Sequence, residues 1–131
     1  MAAEDTIERL AKAQAVNRVV LGAGLIAVPR VFGRVWSGGA ADDERARVLA
    51  RGLGARDLLL GAGGLLALRE HDPRWAARAF GAHAAADAVD LVAVLLSRRA
   101  LGRSTRAVAT TLAAGSAGVA AAYALRVRGG G

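Results

Sequence analysis

The sequence has no cysteine, one methionine, one lysine, two prolines and only 4% aromatic residues in its 131 positions. Without cysteine there is no disulfide framework, no thiolate metal site and no cysteine nucleophile. The only histidines, His71 and His83, fall in a loop and in an apolar segment, so paired haem ligation within one chain is not expected. Their spacing matches no helical metal motif, and His83 with Asp87 at i, i+4 would supply only two ligands of a carboxylate-rich site. No metal and no cofactor is expected. The formal charge of +7 rests on arginine, which supplies seventeen of the eighteen basic residues. With this much alanine and glycine, that bias matches GC-rich coding. The arginines are scattered over both ends of the apolar segments, and they stripe no single helix, so no nucleic-acid partner is expected.

What is present is apolar: 54% hydrophobic residues and 17 glycines, with 22% charged. The length allows one domain, and the ordinary charge content excludes a disordered polyelectrolyte. Four long apolar segments stand between short polar breaks, and no strand-type alternation competes with them. In the first, Asp5 is placed to cap a helix and Glu8 completes a capping-box pattern, while Pro29 discourages continuation. Residues 30–41, with Trp36 and Gly38-Gly39, read as a connection holding one turn of helix around Val31–Trp36. The second segment begins at Asp42-Asp43-Glu44, acidic residues that suit a helix N-terminus, and runs to about Arg69. Asp72 and Pro73 are an N-cap and a first helical residue for the third, which runs to Ser97 before Arg98-Arg99. A tight turn at Leu101-Gly102-Arg103 leads to the fourth, capped by Ser104 and closed by Arg126 and Arg128. The expected fold is all-α, one domain over residues 1–131.

The fourth segment points to lipid. Ala107–Leu125 is an uncharged run of 19 residues, close to the ~20 needed to cross a bilayer core. Leu58-Leu59-Leu60 and Leu91–Leu96 are apolar all round, whereas helices of a soluble bundle keep a polar stripe. Two glycine-bearing faces on segment two (Gly54, Asp57, Gly61, Gly64 and Gly52, Arg56, Gly63, Ala67) and one on segment four (Thr111, Gly115, Gly118, Ala122) suit close packing of membrane helices. Gly22-Ala23-Gly24 and Gly61-Ala62-Gly63-Gly64 follow no strand, so they are read as packing and not as phosphate loops. Trp36 and Trp75 suit interfacial anchors. The expectation is a four-helix up-down-up-down transmembrane bundle, multi-pass in the cell membrane, with spans at roughly 7–28, 46–69, 74–97 and 105–126. The alternative is a soluble alanine-rich bundle. The acidic-leading N-terminus is not read as a signal peptide. With Arg56 left out, basic residues divide eight against nine between the two sides, so no orientation follows.

The charges inside the segments fall at one depth. Folding segments two and three about His71 brings Arg56 and Asp57 beside Asp87, with His83 and Asp90 one turn to either side. His83, Asp87 and Asp90 share one helix face. Folding segment four about Gly102 brings Ser116 and Ala117 to the same level, and segment one brings Asn17 and Arg18. The expected polar cluster is therefore Asn17, Arg18, Arg56, Asp57, His83, Asp87 and Asp90. Charges in a bilayer interior face the bundle and pair with one another. Three uses remain open for them. One is a structural tie between helices. The second is an enzyme site, with Asp87 and Asp90 as acid/base carboxylates and Arg56 holding an anion of a small lipophilic substrate. The third is a proton or cation relay along helix three, for which so short a chain needs an oligomer.

The run Gly54-Ala55-Arg56-Asp57-Leu58-Leu59-Leu60-Gly61, followed by Asp87-Ala88-Val89-Asp90, resembles small four-span membrane proteins common in actinobacteria, similar in size and topology to the DoxX-like group. The resemblance implies a helical-bundle membrane fold and brings no reaction with it. Arg56, Asp57 and Asp90 are the charged positions that carry over, and the absence of cysteine argues against a redox role. The lipid bilayer is the expected partner, with a homo-oligomer or a larger membrane complex around the chain.

Overall fold

Alanine, leucine and arginine fill the four apolar segments, and all three are strong helix formers. The computed structural model describes residues 2–31, 44–97 and 103–129, with four long helices among them. These are α1 (Ala2–Ala27), α2 (Glu44–Glu70), α3 (Pro73–Leu96) and α4 (Arg103–Gly129). At 24–27 residues each, they extend about 36–41 Å. Val28 interrupts the first helix and residues 29–31 resume a helical course, with Pro29 at the first position of the new turn. The rest of the expected turn around Val31–Trp36, Trp36 itself, and the breaks at Arg98-Arg99 and Leu101-Gly102 lie outside the described residues.

Two helices begin before the expected caps. α1 already starts at Ala2, because Ala2, Ala3 and Glu4 favour helix, so Asp5 and Glu8 lie inside it. Arg103 is likewise helical, which puts Ser104 inside α4. The α2–α3 break follows expectation. His71 takes a left-handed conformation (φ 54°) just past α2, reversing the chain where glycine is the usual choice. The Asp72 side chain then accepts hydrogen bonds from Arg74 N at 2.8 Å and Trp75 N at 3.3 Å, with Pro73 opening α3.

Glycine brings α1 and α2 into backbone contact. A Cβ on Gly22 would lie 2.5 Å from Leu58 N, one on Gly54 2.7 Å from Gly22 O, and one on Gly61 2.6 Å from Ala15 O. Residues 15 and 22 of α1 thus meet 61 and 54 of α2, in opposite chain order. The glycines of the other expected small-residue faces are open: among the described residues, a Cβ on Gly52, Gly63, Gly115 or Gly118 meets nothing within 4 Å. α3 and α4 pair along their length, and Phe80 sets its ring edge-on to Tyr123 at 4.6 Å between centroids.

The interior is small-residued and the exterior is large. The core comprises Ala11, Ala15, Ala67, Ala76, Ala120 and Ala124 around Phe80 and Tyr123. Arg18, His83 and Asp87 are buried beside them. Leu49, Leu59, Leu96, Leu125, Val20 and Val89 point outward. Of the four expected spans, α3 and the 106–129 stretch of α4 are long and apolar enough to cross a membrane. α1 and α2 fall short of that composition because they carry charges, Arg18 in one and Arg56 and Asp57 in the other.

Candidate functional site

Four helices bring polar side chains to one level. Arg18, midway along α1, reaches Asp57 Oδ1 on α2 through Nη1 at 2.7 Å, and reaches Asp87 Oδ1 on α3 through Nη2. One guanidinium therefore ties three helices. Arg56 grips Asp90 with both terminal nitrogens, Nη1 to Oδ1 at 2.8 Å and Nη2 to Oδ2 at 2.7 Å. That is the parallel fork by which arginine holds carboxylates most firmly. Arg56 also donates to Asp57 Oδ1, from Nη2 at 3.1 Å and Nε at 3.3 Å, joining the two pairs into one network. The network has an inner and an outer part: the Arg18 and Asp87 side chains are 7% and 8% exposed, those of Arg56 and Asp90 33% and 38%.

The expected depth relation between α2 and α3 holds to within one turn, since Arg56 meets Asp90 and not Asp87. Arg18, Arg56, Asp57, Asp87 and Asp90 come together. His83 sits next to them but joins no ion pair. It is fully buried, and its Nε2 donates to the Leu60 carbonyl at 2.7 Å. Its ring lies against Gly64, where a Cβ would come within 3.0 Å of Cε1, and tilts against Phe80. Asn17 is not part of the cluster. It faces outward from α1, because one residue of helix turns it about 100° away from the Arg18 direction.

Gln14 is the member that sequence reasoning missed. It lies one turn before Arg18 on the same face of α1, an i, i+4 relation legible once Arg18 is taken as inward-facing. Its Nε2 donates to Ser116 Oγ and to the Ser116 carbonyl at 3.0 Å, and lies 3.5 Å from Asp87 Oδ2. Ser116 thereby brings α4 into the layer at the expected depth, through a hydroxyl and a backbone carbonyl.

No family model, curated protein or solved structure matches the chain. The chemistry must be read from the arrangement alone. Arg56 is engaged by Asp90 and Asp57. Asp87 and Asp90 are each engaged by an arginine on another helix. Among the described residues, no group of three or more His, Asp or Glu side chains is arranged to hold a metal ion. A cavity of about 250 Å³ lies away from the network, near the α2–α3 turn, lined by Glu8, Lys12, Leu65, Leu68, Arg69 and His71.

Proposed function

We propose that this chain is a small multi-pass protein of the cell membrane, a four-helix up-down-up-down transmembrane bundle. Its Arg/Asp network serves as the tie that sets helix register, in a structural or accessory-subunit role. The observation that carries this reading is the inversion of its two surfaces. Arg18, His83, Asp87 and a set of alanines are buried, and many long aliphatic side chains face out. In water the apolar helices of a bundle bury their large side chains. Here only 17% and 22% of the residues in the most apolar windows of α3 and α4 are buried. An apolar exterior of this extent suits a lipid surround. α1 and α2, too polar to span alone, can do so with their charges neutralised against α3.

The engagement of every network carboxylate by an arginine from another helix favours the tie over an enzyme or relay. The likeness of Gly54–Gly61 and Asp87–Asp90 to the DoxX-like group belongs to the same proposal and supplies no reaction. Membrane fractionation tests it: the protein should sediment with membranes, resist an alkaline wash and require detergent for extraction. Recovery of a monodisperse protein without detergent would return the soluble bundle.

A further inference from the structure

We propose that two copies of this chain pair through the outer face of α1, with Asn17 of one copy hydrogen-bonded to Asn17 of the other. The inference rests on the membrane reading and gives that reading a partner. Asn17 follows the position of Arg18 by one residue, so it lies at the level of the Arg/Asp network. It nevertheless faces outward and makes no hydrogen bond with any described residue. Its amide carries two donor hydrogens and an acceptor oxygen. Near the end of a span such a group reaches water. Midway along the 7–28 span it meets hydrocarbon, where an unpaired amide is costly.

Asn17 belongs to a stripe. Leu10, Ala13, Asn17, Val20, Gly24 and Ala27 follow one another at alternating spacings of three and four residues. That is the repeat of a left-handed helix pair, whose shallow crossing keeps such a stripe in contact along its length. Leu10 and Val20 are 48% and 60% exposed, Ala13 and Ala27 are exposed, and Gly24 is half-buried. The stripe holds no charge, and half of it is alanine or glycine, which lets helix backbones approach closely. The opposite side of α1 is already used, by Ala15 and Gly22 against α2 and by Arg18 and Gln14 within the bundle.

A second copy is the occupant that fits. Copies inserted alike run their α1 helices parallel, and a two-fold axis along the membrane normal sets each stripe position against itself. Asn17 then meets an amide that offers both the donor and the acceptor it needs. A lone asparagine in such a stripe also fixes register, because a slip of one turn strands both amides. The open face of α4 at Gly115 and Gly118 makes no such demand, since its polar member, Thr111, can bond a carbonyl of its own helix.

The full-length protein suits the test because it has no cysteine to interfere. In membranes, mild oxidation should join Val20→Cys or Ala27→Cys into a disulfide-linked dimer. Val89→Cys, exposed on α3, should remain monomeric. In density-matched detergent the wild type should sediment as a dimer. Asn17→Leu should weaken self-association by about 5- to 30-fold, equivalent to the ~1–2 kcal/mol that model membrane helices gain from one such bond. Its helix content by circular dichroism should be unchanged, since Asn17 belongs to neither the network nor the buried core. Crosslinking at Val20→Cys leaves Asn17 in place and so decides the contact even if Asn17→Leu folds poorly. A detergent-extracted protein that neither sediments as a dimer nor crosslinks overturns the pairing alone. A dimer that Asn17→Leu does not weaken, or that links at Val89→Cys and not at Val20→Cys, overturns the α1 face. Capture of a different protein by Val20→Cys overturns the second copy as occupant. Recovery without detergent overturns the membrane reading beneath it.

Discussion

Among single residues, the two arginines of the network are not equivalent. Arg18 is buried and ties α1 to both α2 and α3, while Arg56 is a third exposed and serves only α2 and α3. Removing one partner of a buried ion pair leaves the other stranded, at a typical loss of about 3–5 kcal/mol, whereas replacing both with apolar residues is far milder. Arg18→Ala should therefore lower the thermal midpoint in detergent more than Arg56→Ala does. Arg18→Leu combined with Asp87→Leu should recover part of that loss, because Asp57 and Asp90 both keep Arg56 as their partner. Equal losses for the two arginine variants would mean that burial does not rank them.

At the level of helices, the structure separates glycines that look alike in sequence. Gly22, Gly54 and Gly61 stand where α1 and α2 touch backbone to backbone, and any Cβ there forces the helices apart. Gly115 repeats the same small-residue spacing on α4, yet nothing among the described residues lies within 4 Å of it. Gly61→Ala should destabilise by about 1–3 kcal/mol, the usual result of overpacking. Gly115→Ala should be neutral or gain up to ~1 kcal/mol from helix propensity. Thermal melting of the two variants in parallel decides it, and a loss at Gly115 would reveal a contact made outside the described residues. The spacing of small residues was legible in sequence; which face meets a neighbour was not, since that depends on how each helix is rotated.

For the whole molecule, the proposed topology puts both termini on one side of the membrane. Reporter fusions after Ala40, after Asp72, after Gly102 and at the C-terminus should alternate in accessibility. Termini on opposite sides would mean that α1 or α2, the two charged helices, does not span. In that topology the charged helices would depend on the finished bundle more than α3 and α4, the two helices long and apolar enough to cross a membrane. Loss of Arg18 should accordingly disturb the accessibility of the residue 40 fusion before that of the residue 102 fusion.

Sequence alone determined the four long helices of the described residues, their approximate ends and the level of the charged residues along them, because helical rise is uniform and breaks such as Asp72-Pro73 are local chemistry. From those, Arg56, Asp57, Asp87 and Asp90 could be brought to one level without coordinates. Rotation about each helix axis was decided only in tertiary structure. It turned Asn17 outward and Gln14 inward, shifted Arg56 by one turn onto Asp90, and gave His83 a backbone carbonyl in place of a carboxylate. These outcomes follow from the close approach of α1 and α2 at Gly22, Gly54 and Gly61, which sets the rotation of both helices together. A pairwise contact of that kind has no signature in either segment by itself.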